Sequence, residues 1–221
     1  MEIKIVRDIM EENDEMADEI RRYLDGRRTS MINVMSAPGS GKTLLFERII
    51  PMLREAGIRV GIIEGDIATE NDAQRIGPLG SPVALITTET FGGSCHLSAP
   101  MIKAALKELS SHELDLVLVE NVGNLVCPAE FDIGARASLV LVSVVEGEDK
   151  PLKYPSMFRL ADMVCVTKCD IAEAVGADVE KLKANVKQVN PEALLVESSG
   201  KTGRGMEEVA RWAASLGAKA P

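Results

Sequence analysis

At 221 residues the chain is long enough for one medium α/β domain with a substantial core, and no Pro/Gly/Ser-rich linker divides it. Its 25 Lys plus Arg stand against 34 Asp plus Glu, a formal charge of −9, which argues against general affinity for nucleic acid or anionic membrane and favours proteins and small anions as partners. No apolar run reaches the ~18 residues of a membrane span, Met1 to Arg7 lack a signal-peptide core, and the four cysteines form no CxxC pair, so a cytoplasmic location with thiols used for metal or burial is expected.

Residues 1–29 read as a charged, amphipathic helical segment, its helix running from about Asp8 to Leu24 on the spacing of Ile9, Met16, Ile20 and Leu24, with Asp25-Gly26 closing it. Residues 30–221 alternate short apolar runs with helical patterns, as a parallel sheet with crossover helices does. The first run, Met31 to Met35, is a buried-strand pattern that leads into SAPGSGKT, Ser36 to Thr43, after which Leu44, Leu45, Ile49 and Leu53 recur at helical spacing. Strand, Gly-rich turn and helix in this order predict a phosphate-binding loop. Pro38, Gly39, Ser40 and Gly41 would curl so that backbone N–H groups face phosphate oxygens, and the helix N-terminus adds its positive dipole end. Lys42 would reach the β- and γ-phosphates and the Thr43 hydroxyl would ligate Mg²⁺. Ser36 stands where the usual pattern opens with glycine.

The next strands are expected at Val60 to Ile63, Val83 to Ile86 and Leu116 to Val119, with a helix after Leu97. Carboxylates emerge at two strand ends, in Glu64-Gly65-Asp66 and in Glu120-Asn121-Val122-Gly123. Asp66 and Glu120 are the candidate catalytic and Mg²⁺-side acids, although acids at such ends also cap helices. Glu120 to Gly123 looks like a DxxG switch with Glu for Asp, in which the Gly123 N–H would sense the γ-phosphate. Asn124 occupies the place where small GTPases keep a water-orienting glutamine and is shorter, so slow intrinsic hydrolysis is expected. Between these ends lie Cys95-His96 and Cys127, soft ligands that suit Zn²⁺ or Ni²⁺ and that read equally well as core thiols beside a surface histidine. Because Cys127 trails Glu120 by only seven residues, nucleotide state and metal geometry could be coupled.

Strands at Leu139 to Val144, Met163 to Val166 and Leu194 to Val196, with helices after Pro151, Ala177 and Gly205, complete the pattern. The fold class is therefore α/β: a P-loop NTPase fold, a mostly parallel sheet with helices on both faces, in a single domain with an N-terminal helix. Thr167-Lys168-Cys169-Asp170 follows a strand and resembles the NKxD motif, whose Asp takes two hydrogen bonds from guanine donors that adenine lacks in that arrangement. Thr167 replaces the bracing Asn, leaving only a hydroxyl for that role. Ser199-Gly200-Lys201 resembles the short guanine-contacting loop, and by itself is an ordinary Ser/Gly turn. The order of the phosphate loop, TKCD and SGK points to GTP. Cys165 belongs to an apolar strand and His112 to a polar turn, while Lys150 and Lys153 could meet phosphate, nucleotide or a partner chain.

SAPGSGKT, EGD, CHL, ENVGNLVCP, EGEDKPLKYP and TKCD, in that order, resemble the HypB family of nickel-hydrogenase maturation GTPases over nearly the whole chain from Ile32 onward. The resemblance implies a GTP-binding and GTP-hydrolysing metallochaperone that helps deliver nickel to the large subunit of [NiFe] hydrogenase, working with a nickel accessory protein and as a homodimer promoted by nucleotide or metal. It also implies that Cys95, His96 and Cys127 bind Zn²⁺ or Ni²⁺ at the dimer interface, where a bridging thiolate or water would complete a tetrahedral ion. The Cys-rich N-terminal motif and His-rich tract of some relatives are missing, so nickel storage is not expected. Pro100 and Ala104 stand where relatives can carry further histidines. The alternatives are a GTPase chaperone for another nickel or cobalamin enzyme, a P-loop small-molecule kinase, for which no Arg-rich lid is found, and a metal-binding module that uses GTP structurally.

Overall fold

The computed structural model describes residues 2–66, 75–88 and 95–217, with side chains left out for 2–9 and 66. Seven strands form one sheet in the order β3-β2-β4-β1-β5-β6-β7, and every neighbouring pair is parallel. They are β1 (Ser30–Ser36), β2 (Val60–Asp66), β3 (Val83–Thr87), β4 (Leu116–Glu120), β5 (Ala137–Ser143), β6 (Met163–Thr167) and β7 (Leu194–Glu197). All seven lie where apolar runs predicted them. The central strands β1 and β4 are buried at every position, because helices cover both faces, whereas β3 alternates at one edge of the sheet.

One layer of helices is built from α2 (Lys42–Glu55) and α7 (Met206–Gly217), which pack on each other and on β1 through Phe46, Ile49, Leu53, Val209 and Ala213. The other face carries α1 (Glu2–Arg27) and α3 (Ala99–Glu108), joined through Ala17, Ile20, Leu24, Ile102 and Leu106 over Met31, Val117 and Val119. The short helices α4 (Lys150–Lys153) and α5 (Pro155–Arg159) and the longer α6 (Val179–Val189) cover β5 and β6 around Met157, Phe158, Leu182 and Val186. Burying this much aliphatic surface, at about 25 cal/mol per Å², is the main stabilising term.

Asp25-Gly26 does not close the first helix. α1 runs on to Arg27, and the chain reverses at Arg28, whose φ of 53° is left-handed. Backbone bonds from Arg28 N to Asp25 O and from Thr29 N to Leu24 O, both 3.0 Å, satisfy the last carbonyls. The Arg27 guanidinium extends the hold by donating to Ser110 O and His112 O. Tertiary anchoring thus outweighs the turn propensity of Asp-Gly. No helix among the described residues is long and apolar enough to cross a membrane.

Candidate functional site

Parallel strands place every connection that follows a strand at the same edge of the sheet, so the motifs found along the chain converge there. Between β1 and α2 the phosphate loop turns through Gly39 (φ 74°) and Gly41 (φ 99°), left-handed positions that a side chain would strain. Ser40 is tied on two sides: its hydroxyl lies 2.7 Å from Glu146 Oε1, and its carbonyl accepts from Thr167 Oγ1 at 2.7 Å. Thr167 therefore braces the phosphate loop with its hydroxyl, in the role the missing Asn would have filled. Glu146, not foreseen from the sequence, also accepts the Ser143 N–H at 2.8 Å and so pins the loop to the end of β5.

Pro38, Gly39, Gly41, Lys42 and Thr43 line one side of a cavity of about 380 Å³, with Glu64, Glu120, Val122 and Gly123 across from them. Lys42 is buried and donates to Ser36 Oγ at 3.1 Å, so the residue that departs from the usual pattern supplies a resting acceptor for the lysine. Thr43 Oγ1 lies 3.1 Å from Glu120 Oε1. Glu64 and Glu120 are register partners on β2 and β4, and both are almost fully buried. Hard oxygen ligands from Thr43, Glu64 and Glu120 beside a phosphate loop suit a divalent cation such as Mg²⁺. The sequence reading chose Asp66 of the EGD string and passed over Glu64. The backbone of Asp66 pairs with Thr87 at the end of β2, and its side chain lies outside the described residues. Gly123 sits so near the phosphate loop that a Cβ there would meet Pro38 Cα at 3.0 Å.

On the far side of the loop, the turn Cys169–Ile171 follows β6 and presents an exposed Asp170, while Lys168 takes a left-handed φ of 60°. Cys169 N donates to Ser198 O at 3.0 Å, which ties this turn to Ser199-Gly200-Lys201. Gly200 packs on Leu44 of α2, and the Arg48 guanidinium donates to Gly200 O at 2.7 Å. The fold thus joins the phosphate loop to both base-side candidates.

Cys95, His96 and Cys127 also come together: their ligand atoms all lie within 4.8 Å of one another, with the two Sγ atoms 2.7 Å apart. The His96 ring stacks on Phe131 at 3.7 Å between centroids. Burial holds the His96 pKa below its usual value, which favours the neutral imidazole a metal needs. Hydrogen bonding with Cys95, then burial, pushes the Cys127 thiol up. A soft divalent ion bound here would displace thiol protons. The structure brings the three candidate ligands into one cluster rather than leaving them as separate core and surface residues.

Two asparagines connect this cluster to the nucleotide cavity. Asn121, fully buried after Glu120, accepts from Leu97 N at 3.2 Å and Val122 N at 2.9 Å and donates to Asn33 Oδ1 at 3.1 Å. Leu97 directly follows His96 and packs against Gly65 at the end of β2. Asn124 does not point into the cavity. Its amide nitrogen lies 3.2 Å from Cys127 Sγ, and its oxygen accepts the Val126 N–H at 2.8 Å. Cys165, in contrast, is buried in β6 with its pKa pushed up to about 12 by desolvation, and His112 is exposed.

Residues 30–197 match the family described as CobW/HypB/UreG, nucleotide-binding domain. The chain is 39% identical to the probable hydrogenase maturation factor HypB of Methanocaldococcus jannaschii, over 94% of this chain and 92% of that protein. It is 42% identical to the hydrogenase maturation factor HypB of Azotobacter vinelandii, over 95% of this chain and 68% of that one. Among solved structures, HypB from Archaeoglobus fulgidus superposes with a TM-score of 0.87 at 42% identity, covering 94% of this chain and all of the other. HypB from Helicobacter pylori, solved in complex with nickel, gives 0.86 at 35% identity over 93% and 95% of the two chains. An LAO/AO transport system kinase, at a TM-score of 0.56 and 18% identity, shares the fold alone.

Proposed function

The chain belongs to the HypB family of CobW/HypB/UreG nucleotide-binding domains, and on that footing we propose that it is a GTP-hydrolysing metallochaperone that loads nickel into the large subunit of [NiFe] hydrogenase. The observation that carries the proposal is the physical connection between two sites: Asn121 joins the end of β4, beside the phosphate loop, to the segment bearing Cys95 and His96. Nickel is the cargo, held by Cys95, His96 and Cys127, and Zn²⁺ suits the same donor set. Three ligands from one chain leave a fourth position of a tetrahedral ion to a second copy or to an acceptor protein, which favours a homodimer and transfer by ligand exchange. A nickel accessory protein would be the other partner.

In the hydrolysis reaction, the phosphate-loop N–H groups and Lys42 hold the β- and γ-phosphates, Lys42 exchanging the Ser36 hydroxyl for phosphate oxygens. Thr43 and Glu120, with Glu64 the register partner of Glu120 and Asp66 two residues further along β2, would hold Mg²⁺, which would supply neutralisation of phosphate charge. Water attacks the γ-phosphorus in line, the bond to the bridging oxygen breaks, and GDP leaves with phosphate. Gly123 N–H follows the γ-phosphate and moves when it departs. Asn124 is committed to Cys127 and Val126, so no side-chain amide is left at that position to orient the water, and intrinsic hydrolysis is slow. Asp170, Lys168 and the Ser199 to Lys201 loop read guanine.

Calorimetry with GTP and ATP tests the nucleotide half. GTP should bind more tightly than ATP, and Asp170→Asn should cost about 1.5–3 kcal/mol of GTP affinity while leaving ATP unaffected. Equal binding of ATP and GTP by the unaltered chain would reject it.

A further inference from the structure

Asn13 lies in the interior of α1, far along the chain from every ligand named above, and yet it is only 4% exposed. Asparagine in a helix interior usually faces water; a buried amide must find partners for both ends. Asn13 finds them in two different segments. Its Oδ1 accepts the Ala99 N–H at 2.9 Å, and its Nδ2 donates to Asp132 O at 2.8 Å.

Both partners belong to the segments that carry the thiol and imidazole ligands. Ala99 opens α3 directly behind Cys95-His96-Leu97-Ser98, and its N–H is one that the helix itself leaves without a partner. Ser98 makes no side-chain cap there, so the cap comes from another helix. Asp132 directly follows Phe131, the ring on which His96 stacks, and lies just beyond the turn Cys127–Ala129. The same loop is pressed onto α1 elsewhere: Arg21 pairs with the Asp132 carboxylate, and a Cβ at Gly134 would meet Ala17 O at 2.6 Å.

We infer that Asn13 is a positioning residue for the metal site: its one amide clamps the Cys95-His96 segment to the Cys127-Phe131 segment and so sets how closely the ligands converge. The inference rests on the reading of Cys95, His96 and Cys127 as ligands. Ligand atoms must reach a metal within about 0.2 Å of ideal distances, so a small separation of two backbone segments is felt directly as affinity. Loss of the amide leaves the Ala99 N–H and the Asp132 carbonyl to seek other partners, and the two segments are no longer held in common.

The test uses the full chain, with Zn²⁺ affinity measured by competition against a chromophoric chelator, Co²⁺ absorption as a report on ligand geometry, and GDP affinity as the control for global damage. Asn13→Ala should weaken Zn²⁺ binding by about 10-fold or more, the range seen for groups that orient metal ligands, and change the Co²⁺ spectrum, with GDP affinity unchanged. Asn13→Asp keeps an acceptor for Ala99 N but sets an oxygen against Asp132 O; it should also weaken Zn²⁺, and it decides the matter if the alanine variant does not fold. Wild-type Zn²⁺ affinity and Co²⁺ spectrum in these variants, or a parallel loss of GDP affinity, would overturn the inference. Cys95→Ala marks the other failure: wild-type metal binding by that variant would refute the ligand assignment itself, and the role of Asn13 with it.

Discussion

The Lys42 ammonium rests 3.1 Å from Ser36 Oγ in a buried pocket shared with Glu64 and Glu120, a position from which it can turn onto phosphate oxygens with little reorganisation. Lys42→Ala should lower kcat for GTP by at least about 100-fold in a phosphate-release assay. At the other site, His96 has its pKa depressed by burial from the ordinary 6.5. Its contribution to stability is full above the unfolded value and is lost as pH falls through the folded one, because the unfolded chain takes up the proton first. Thermal melts of metal-free protein should therefore show stability falling as pH drops below 6.5, and His96→Phe should flatten that slope. Cys165 is the inert thiol of the four, buried and raised to about 12. Iodoacetamide should leave it unmodified in the native protein and label it after denaturation.

Among the elements, strands were the most legible. β1, β4 and β5 are near-continuous apolar runs, a pattern imposed by burial on both faces, while the edge strands β3 and β7 are short and only partly buried; all seven needed no knowledge of what lay beside them. Helix ends were less so: Asp25-Gly26 signals a stop, but Arg27 bonding to Ser110 O and His112 O carries α1 past it. The strings SAPGSGKT, Glu120 to Gly123 and TKCD could be singled out because each is local and has a chemical reason, whereas Cys95-His96 and Cys127 read equally well as core thiols beside a surface histidine, and only the fold brings them together. Asn13, Asn121 and Glu146 could not be singled out, and Asn124 was noted only for the glutamine it replaces, because what distinguishes them is the partner. Asn13 meets Ala99 across 86 positions and Ser40 meets Glu146 across 106, contacts that exist only once the sheet is assembled. Glu64 was passed over for the opposite reason: two acids stood close together, and only the register shows that Glu64 lies beside Glu120. The seating of α1 is tested by Gly134→Ala, which forces a Cβ at φ 77° into Ala17 O and Ile20; it should cost about 1–3 kcal/mol in urea denaturation.

For the molecule as a whole, the two sites share connections rather than an interface. Leu97 is wedged between Gly65 at the end of β2 and Asn121 after β4, so on the proposed function a displacement of either strand end at the γ-phosphate would reach the residue next to His96. Asn124, 3.2 Å from Cys127 Sγ, would pass the same displacement to Cys127. Asn121→Ala should cost about 1–3 kcal/mol of stability for the lost buried hydrogen bonds and should make metal affinity indifferent to nucleotide. The most direct test of the whole account is the Ni²⁺ dissociation constant of the unaltered chain, measured once with GDP and once with a non-hydrolysable GTP analogue. The account predicts values at least about 5-fold apart, the lower end of a useful coupling energy. Identical values in the two nucleotide states would contradict it.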